Sequence, residues 1–319
     1  MKAIEIESPG GPESLVLQDV PEPAPGPGEV LIQVTAAGVN RADVQQRRGL
    51  YPPPPGAPDY PGLEVSGHII GDGEGFRDGD PVVALLAGGG YAERVAVPAG
   101  QVIPAPEGLD LQAAAGLPET AATVYSNLVL AAGLQASQTL LVHGGSGGIG
   151  AMAIQFATAL GARVVATAGR AEKCQTVLRL GASVAVNYRD EDFVAVLQEL
   201  GGADVILDVI GAGYLARNLE ALATGGKLVV IGLQGGAKAE LNLAVLMAKR
   251  AAIIGTTLRA RPAAEKAEVM RQVQEQIWPL VADERIDPMI DKVFPLAEAH
   301  AAHEYFDSGK HQGKILLTP

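Results

Sequence analysis

The sequence predicts an α/β fold, a doubly wound parallel sheet inserted in a β-rich barrel-like unit. Three observations predict it. Residues 1 to about 118 consist of short runs with β-branched residues, separated by Gly, Pro and Asp clusters. From about 120 to 260 apolar strands alternate with helix-length stretches, the rhythm of a parallel sheet covered on both faces. Between the first of these strands and the first of these helices lies a glycine-rich string, residues 144–150.

The N-terminal runs are MKAIEIE, SLVLQDV, EVLIQVTAAGVN, LEVSGHIIG, DPVVALL and YAERVAVP. PEPAPGPG (21–28) and PPPPGAPDYPG (52–62) are expected as ordered turns or extended loops. In the alternating part the expected strands are 140–143, 163–168, 183–187, 203–209, 227–232 and 251–256. The expected helices fall near 149–160, 171–180, 190–200, 213–223 and 241–250. Gly161 and Gly181 follow two of them, where a helix end favours a residue tolerant of positive φ. The tail reads as a long helix near 263–284, a strand near 286–293, a helix near 296–308 and a last strand, KILLTP. It is too short for a domain of its own and is expected to pack back on the N-terminal unit. The expected domains are therefore 1–120 with 263–319, and 121–262.

With 48% hydrophobic and 19% charged residues, the composition is that of a globular chain. No signal-like start and no run of 18 or more apolar residues is present, so secretion and membrane spanning are not expected. The net charge of −12, with no Lys/Arg run beyond pairs, argues against nucleic acid as a partner. The one cysteine, Cys174, excludes an internal disulfide and a cysteine-based zinc knuckle, and fits a reducing cytoplasm.

Gly145-Ser146-Gly147-Gly148-Ile149-Gly150 has the spacing G-x-G-x-x-G, after a strand and opening a helix. Such glycines let backbone approach a pyrophosphate, and the helix N-terminus presents free N–H groups to it. About 20 residues beyond such a loop an acidic residue would accept from the ribose 2′-hydroxyl of NAD. Here the strand ends Thr167-Ala168-Gly169-Arg170, followed by Ala171-Glu172-Lys173. Gly169 leaves room for a 2′-phosphate, and Arg170 and Lys173 supply charge-assisted donors. The expected cofactor is NADPH. The alternative is that both cations solvate a helix start, or that Glu172 turns inward to accept a hydroxyl.

Several stretches together resemble the medium-chain dehydrogenase/reductase superfamily, and within it the zinc-free, zeta-crystallin-like NADPH:quinone oxidoreductases. They are AAGVNRADVQQRRGLYPPPPG, PGLEVSGHI, VHGGSGGIGAMAIQFA, TAGRAEKC, LGASVAVNYRDEDF, DVILDVIG, GGKLVVIGLQGG and the closing GKILL. The resemblance implies a GroES-like N-terminal barrel, a Rossmann domain and hydride transfer to quinones or related conjugated carbonyls in a cleft between them. Zinc-dependent relatives carry a cysteine where this chain has Asn40 and a histidine where it has Leu63. No metal site is therefore expected. The resemblance implies that Asn40 contacts nicotinamide or substrate, and that Tyr51 lines the substrate pocket and donates to the quinone oxygen. It places Thr123 by the nicotinamide, Gly145, Gly147, Gly148, Ile149 and Gly150 around the pyrophosphate, and Gly169, Arg170, Lys173 and Tyr188 around the 2′-phosphate and adenine. It further implies that Gly211, Gly232 and Leu233 lie where the nicotinamide ribose passes, and that Lys314 reaches the cofactor.

Plainer roles remain open for some of these residues. Asn40 has the alternative of an Asx turn, Tyr51 and Tyr188 of packing, Thr123 of a bond to its own helix, and Lys314 of solvation. His300 and His303 read as a packed or solvated helix face, and His143 as packing at a strand end. Two other functions stay open at this point: a non-catalytic NADPH-binding sensor or structural protein, and an enoyl-thioester reductase. The apolar strand 251–256 suits edge-to-edge pairing in a homodimer, with a covered edge as the alternative.

Overall fold

The structure, a computed structural model, describes residues 1–319. The chain forms two compact units. One comprises Met1–Ala122, Leu258–Glu284 and Pro288–Pro319; the other comprises Thr123–Thr257 and Arg285–Asp287.

The first unit opens with an antiparallel ribbon of β1 (Lys2–Ile6) and β2 (Leu15–Asp19). The long strand β3 (Glu29–Gly38) follows, with Val30, Ile32 and Val34 buried on one face by the period of two. Helix α1 (Arg41–Arg47) leads to β4 (Glu64–Ile70), β5 (Pro81–Leu85), β6 (Arg94–Pro98) and β7 (Val102–Pro104). Two further helices are α2 (Leu111–Ala114) and α3 (Pro118–Tyr125). The sequence reading contains no α1, because its stretch RADVQQR offers two apolar residues, Ala42 and Val44, and no periodic stripe. It is held by polar side chains that are themselves buried, Asp43 and Arg47.

The second unit is the doubly wound sheet. Its elements are β8 (Thr139–Val142), α4 (Gly148–Ala159), β9 (Arg163–Ala168), α5 (Ala171–Arg179), β10 (Val184–Asn187) and α6 (Phe193–Glu199). Then come β11 (Ala203–Asp208), α7 (Leu215–Ala221), β12 (Leu222–Val230), α8 (Leu243–Lys249) and β13 (Ala252–Gly255). All strands pair in parallel, in the order β10-β9-β8-β11-β12-β13. The order reverses direction between β8 and β11, the switch point outside which such sheets bind nucleotides. Leu141, Val165, Ile206 and Leu228 fill the sheet's core against Phe193 and Leu219. Between α3 and β8 the chain makes a π-helical turn over Ser126–Ala131, which the sequence reading lacks.

The expected long helix at 263–284 is two helices, α9 (Ala263–Gln276) and α10 (Trp278–Ala282). Pro279 causes the break, since it offers no N–H and its ring crowds the preceding turn. Trp278 anchors the break by donating Nε1–H to the Pro104 carbonyl at 2.8 Å. The tail ends with β14 (Ile290–Pro295), α11 (Ala299–Asp307) and β15 (Lys314–Thr318). β15 lies between β14, parallel, and β3, antiparallel, so the last residues complete the first unit's sheet. No helix is long and apolar enough to cross a membrane.

Candidate active site

The glycine string forms the turn from β8 into α4. Gly144 takes φ +70°, the left-handed region that favours glycine. Gly145 and Gly150 are glycines for packing. A Cβ on Gly145 would lie 2.9 Å from the side chains of Ala166 and Val177, and one on Gly150 would lie 2.6 Å from Gly145 Cα. Gly147 differs, because a Cβ there would meet nothing nearer than the Gly144 carbonyl at 3.6 Å. It caps α4 with extended backbone and no side-chain acceptor. The first N–H groups of α4, from Gly148, Ile149 and Gly150, thus lie at a helix start with the positive end of its dipole. This cradle fits a pyrophosphate.

The turn is braced from below by buried His143. Its Nδ1 lies 3.1 Å from Thr167 Oγ1 and its Nε2 2.8 Å from Asn218 Oδ1, while Thr167 Oγ1 accepts from the Gly144 N–H at 3.3 Å. Burial pulls the imidazole pKa down to about 4, so the ring is neutral and packs edge-on against Phe193 and Tyr214.

At the tip of β9 a Cβ on Gly169 would lie 2.6 Å from Tyr188 Cζ, so the tyrosine ring fills the space of the missing side chain. Tyr188 is half exposed, and Arg170 and Glu172 are exposed at the start of α5, with Lys173 half-buried beside them. At the ends of β11 and β12, Asp208 accepts from the N–H groups of Ile210 and Gly211 at 2.7 and 3.0 Å. Gly211 has φ +77°, and a Cβ on Gly232 would lie 2.7 Å from the Val209 carbonyl oxygen. These two glycines let the loops touch, and Leu233 is left exposed beside them. The sheet thus gathers Gly145 to Gly150, Gly169, Arg170, Lys173, Tyr188, Gly211, Gly232 and Leu233 at strand ends of one unit.

In the first unit Asn40, at the end of β3, is the N-cap of α1. Its Nδ2 donates to Glu64 Oε1 at 2.9 Å, and its Oδ1 accepts from Lys314 Nζ at 2.6 Å. Lys314 also meets Glu64 Oε1 at 2.6 Å and the Val39 carbonyl at 3.2 Å. Lys314 Nζ thus has three oxygen acceptors within the first unit. Tyr51 is partly buried at the head of the proline loop. Arg259 clamps that loop, donating to the Tyr51 carbonyl at 3.2 Å, to Gln46 Oε1 at 2.7 Å and to the Ala87 carbonyl at 2.6 Å. Burial raises the Tyr51 phenol above its ordinary value, although the Arg259 guanidinium lies 5.4 Å from the ring. Thr123, the first residue of the second unit, is buried on α3, and its carbonyl accepts from Asn127 Nδ2 at 2.7 Å.

Sequence reasoning missed Asp43, Tyr91, Arg259 and Asn218. For Asp43 a signal existed: an acid three residues after an N-cap asparagine reaches back to the cap's N–H, here at 2.8 Å. Arg259 and Asn218 carry no local signal, because their partners are distant in the chain.

Residues 26–107 match the alcohol dehydrogenase GroES-like domain, and residues 148–275 the family described as zinc-binding dehydrogenase. The quinone oxidoreductase of Rattus norvegicus is 36% identical over 99% of this chain and 97% of its own length. The chain belongs to the quinone oxidoreductases of the medium-chain dehydrogenase/reductase superfamily. The structure of Escherichia coli quinone oxidoreductase complexed with NADPH superposes with a TM-score of 0.90 at 30% identity, covering all of both chains. That of the Thermus thermophilus enzyme superposes with a TM-score of 0.86 at 35% identity, again over all of both chains.

Zinc does not fit this member's residues. At the two positions where zinc-dependent relatives carry thiolate and imidazole stand the amide of Asn40 and the alkyl chain of Leu63. The neighbouring carboxylate, Glu64, already carries Lys314 as its counter-ion. No group of three or more His, Cys, Asp or Glu side chains is placed to hold a metal.

Proposed function

We propose that the chain reduces quinones and related conjugated carbonyls with NADPH, without a metal. The observation that carries this reading is the open cradle at Gly147 and the α4 N-terminus, with Gly169, Arg170 and Lys173 beyond β9 and no acid at the strand tip. When bound, NADPH supplies the hydride. The chain's own residues bind and orient. The α4 N–H groups hold the pyrophosphate, and Arg170 and Lys173 meet the 2′-phosphate, with Tyr188 as the platform next to Gly169. Asn40 and Tyr51 face the substrate oxygen as hydrogen-bond donors. The Tyr51 phenol keeps its proton because burial raises its pKa. A conjugated acceptor suits such a site, since the charge it gains is delocalised and needs donors rather than a Lewis acid.

Arg170→Ala and Lys173→Ala are each expected to raise the Kd for NADPH about tenfold, the worth of one charge-assisted hydrogen bond. The Kd for NADH should change less than about twofold. Fluorescence titration of both nucleotides checks this, and equal losses for the two would remove the 2′-phosphate assignment. Turnover is tested by NADPH oxidation with ortho-quinones, para-quinones and linear enones side by side.

The reading includes a homodimer in a reducing cytoplasm. β13 is the edge of its sheet, and Leu243 and Met247, four apart on α8, are 60% and 76% exposed. Joint replacement of Leu243 and Met247 by lysine is expected to convert dimer to monomer in sedimentation velocity. Wild-type protein that sediments as a monomer would sink the assembly.

A further inference from the structure

We infer that Lys314 and Glu64 are positioning residues that fix which way the Asn40 carboxamide faces, so that Asn40 offers an N–H and not its oxygen to the substrate. The inference rests on the reading of Asn40 as a substrate contact. An ammonium can only donate and a carboxylate can only accept. Lys314 Nζ lies 2.6 Å from one end of the amide, and Glu64 Oε1 lies 2.9 Å from the other. The end facing Lys314 is therefore oxygen, and the end facing Glu64 is nitrogen. The flipped amide would set NH2 against the ammonium and oxygen against the carboxylate.

The second hydrogen on Nδ2 meets only the Gly38 carbonyl, at 3.4 Å, beyond the usual range of an N–H···O bond. It is the donor on this side chain with capacity to spare. The ammonium on Oδ1 polarises the amide and makes that hydrogen a stronger donor. A quinone oxygen that gains negative charge during hydride transfer is what such a donor stabilises.

The triad is built in by the backbone around it. Asn40, Glu64 and Lys314 are 6%, 0% and 3% exposed. Gly38 leaves the space that Glu64 uses, for a Cβ there would lie 2.7 Å from Glu64 Cδ. Gly116 does the same for the Lys314 stem, 3.2 Å from Cγ. The second oxygen of Glu64 accepts the Glu119 N–H at 2.8 Å, at the start of α3. A buried ion pair is weak ground for stability, because apolar residues of like volume often serve as well. The amide polarity is what the pair supplies and an apolar pair would not.

The test uses the full chain. Lys314→Met alone leaves Glu64 buried without its counter-ion, so the informative protein is the double variant Glu64→Leu/Lys314→Met, which has no orphan charge. It should melt cooperatively and bind NADPH within about twofold of wild type, while kcat with a quinone falls at least about tenfold. In the 1H–15N spectrum the two Asn40 side-chain amide resonances should be well separated and slow to exchange in the wild type, and should merge toward the random-coil pair in the double variant. In Lys314→Ala, added ethylamine should recover part of kcat. Wild-type kcat in the double variant, unchanged Asn40 resonances, or a raised NADPH Kd at unchanged kcat would each overturn the inference. The last would assign Lys314 to the cofactor. Because the resonances need no turnover, they judge the amide even if the wild-type chain reduces no quinone, an outcome that would instead sink the functional reading.

Discussion

Gly150→Ala is expected to abolish NADPH binding, with a loss of at least about 100-fold in affinity, close to 3 kcal/mol. The added Cβ would lie 2.6 Å from Gly145 Cα and 2.7 Å from the Gly145 carbonyl carbon, and would collide with the Gly144 carbonyl oxygen. Every one of these atoms is backbone, so no rotamer change relieves the overlap. Gly144 already sits at positive φ, and its N–H is tied to Thr167. The turn must therefore lift off the start of α4, which moves the very N–H groups proposed above to hold the pyrophosphate. Overpacking of this kind costs about 1–3 kcal/mol of stability, so the second unit should remain folded. Gly147→Ala is the companion. Its Cβ meets only the Gly144 oxygen at 3.6 Å, an ordinary contact. That variant should melt like the wild type yet bind NADPH more weakly, because the methyl occupies the ligand's side of the cradle. Circular dichroism melts and nucleotide fluorescence separate the two effects. A Gly150→Ala protein with wild-type affinity would mean that the pyrophosphate is held elsewhere.

The contrast between these two glycines marks what a sequence discloses. The string of residues 144–150 was legible because a glycine-rich turn between an apolar strand and a helix has few other uses. Which glycine is packed and which lies open was not legible, since it depends on Ala166 and Val177, outside the turn. The strands of the doubly wound sheet were legible because both their faces are covered, which leaves continuous apolar runs. Helix α1 was not. Its fold is decided by Arg47, which donates to Asp307 at 2.7 Å, 260 residues away. The same holds for Lys314, in the closing GKILL, whose partners, Asn40 and Glu64, lie far back in the chain. The break before Trp278 had its signal in Pro279.

Asp43→Ala is expected to destabilise the first unit by about 3–5 kcal/mol, the cost of removing one member of a buried polar network. Asp43 is fully buried and accepts from the Asn40 N–H at 2.8 Å, the Gly62 N–H at 3.0 Å and the Tyr91 hydroxyl at 3.3 Å. Behind Tyr91 stand His303, 3.0 Å from the hydroxyl, and Arg47, 3.3 Å from His303 Nδ1. Arg47 can only donate, so Nδ1 accepts, Nε2–H donates to Tyr91, and Tyr91 donates to Asp43. Burial and the Arg47 charge pull the His303 pKa down to about 3, which keeps the ring neutral and this direction fixed.

The Asp43 carboxyl itself is pushed up from 3.8 to about 6. Burial is the largest cause, and it outweighs the two backbone N–H bonds and the attraction of Arg259 and Lys314. Because the folded value lies above the unfolded one, the neutral carboxyl is what the fold favours. Its contribution is fully present below about pH 4 and is lost as pH rises through about 6, some 3 kcal/mol for a shift of about two units. In Asp43→Asn this titration is gone. The stability advantage of the wild type over that variant should therefore shrink by about 2–3 kcal/mol between about pH 4 and pH 8, measured by urea unfolding. An advantage that stays level, or grows with pH, would show that the ionised carboxylate is the form the fold prefers. Asn40 and the Gly62 turn would then be held by a permanent charge rather than by a group that titrates near neutrality.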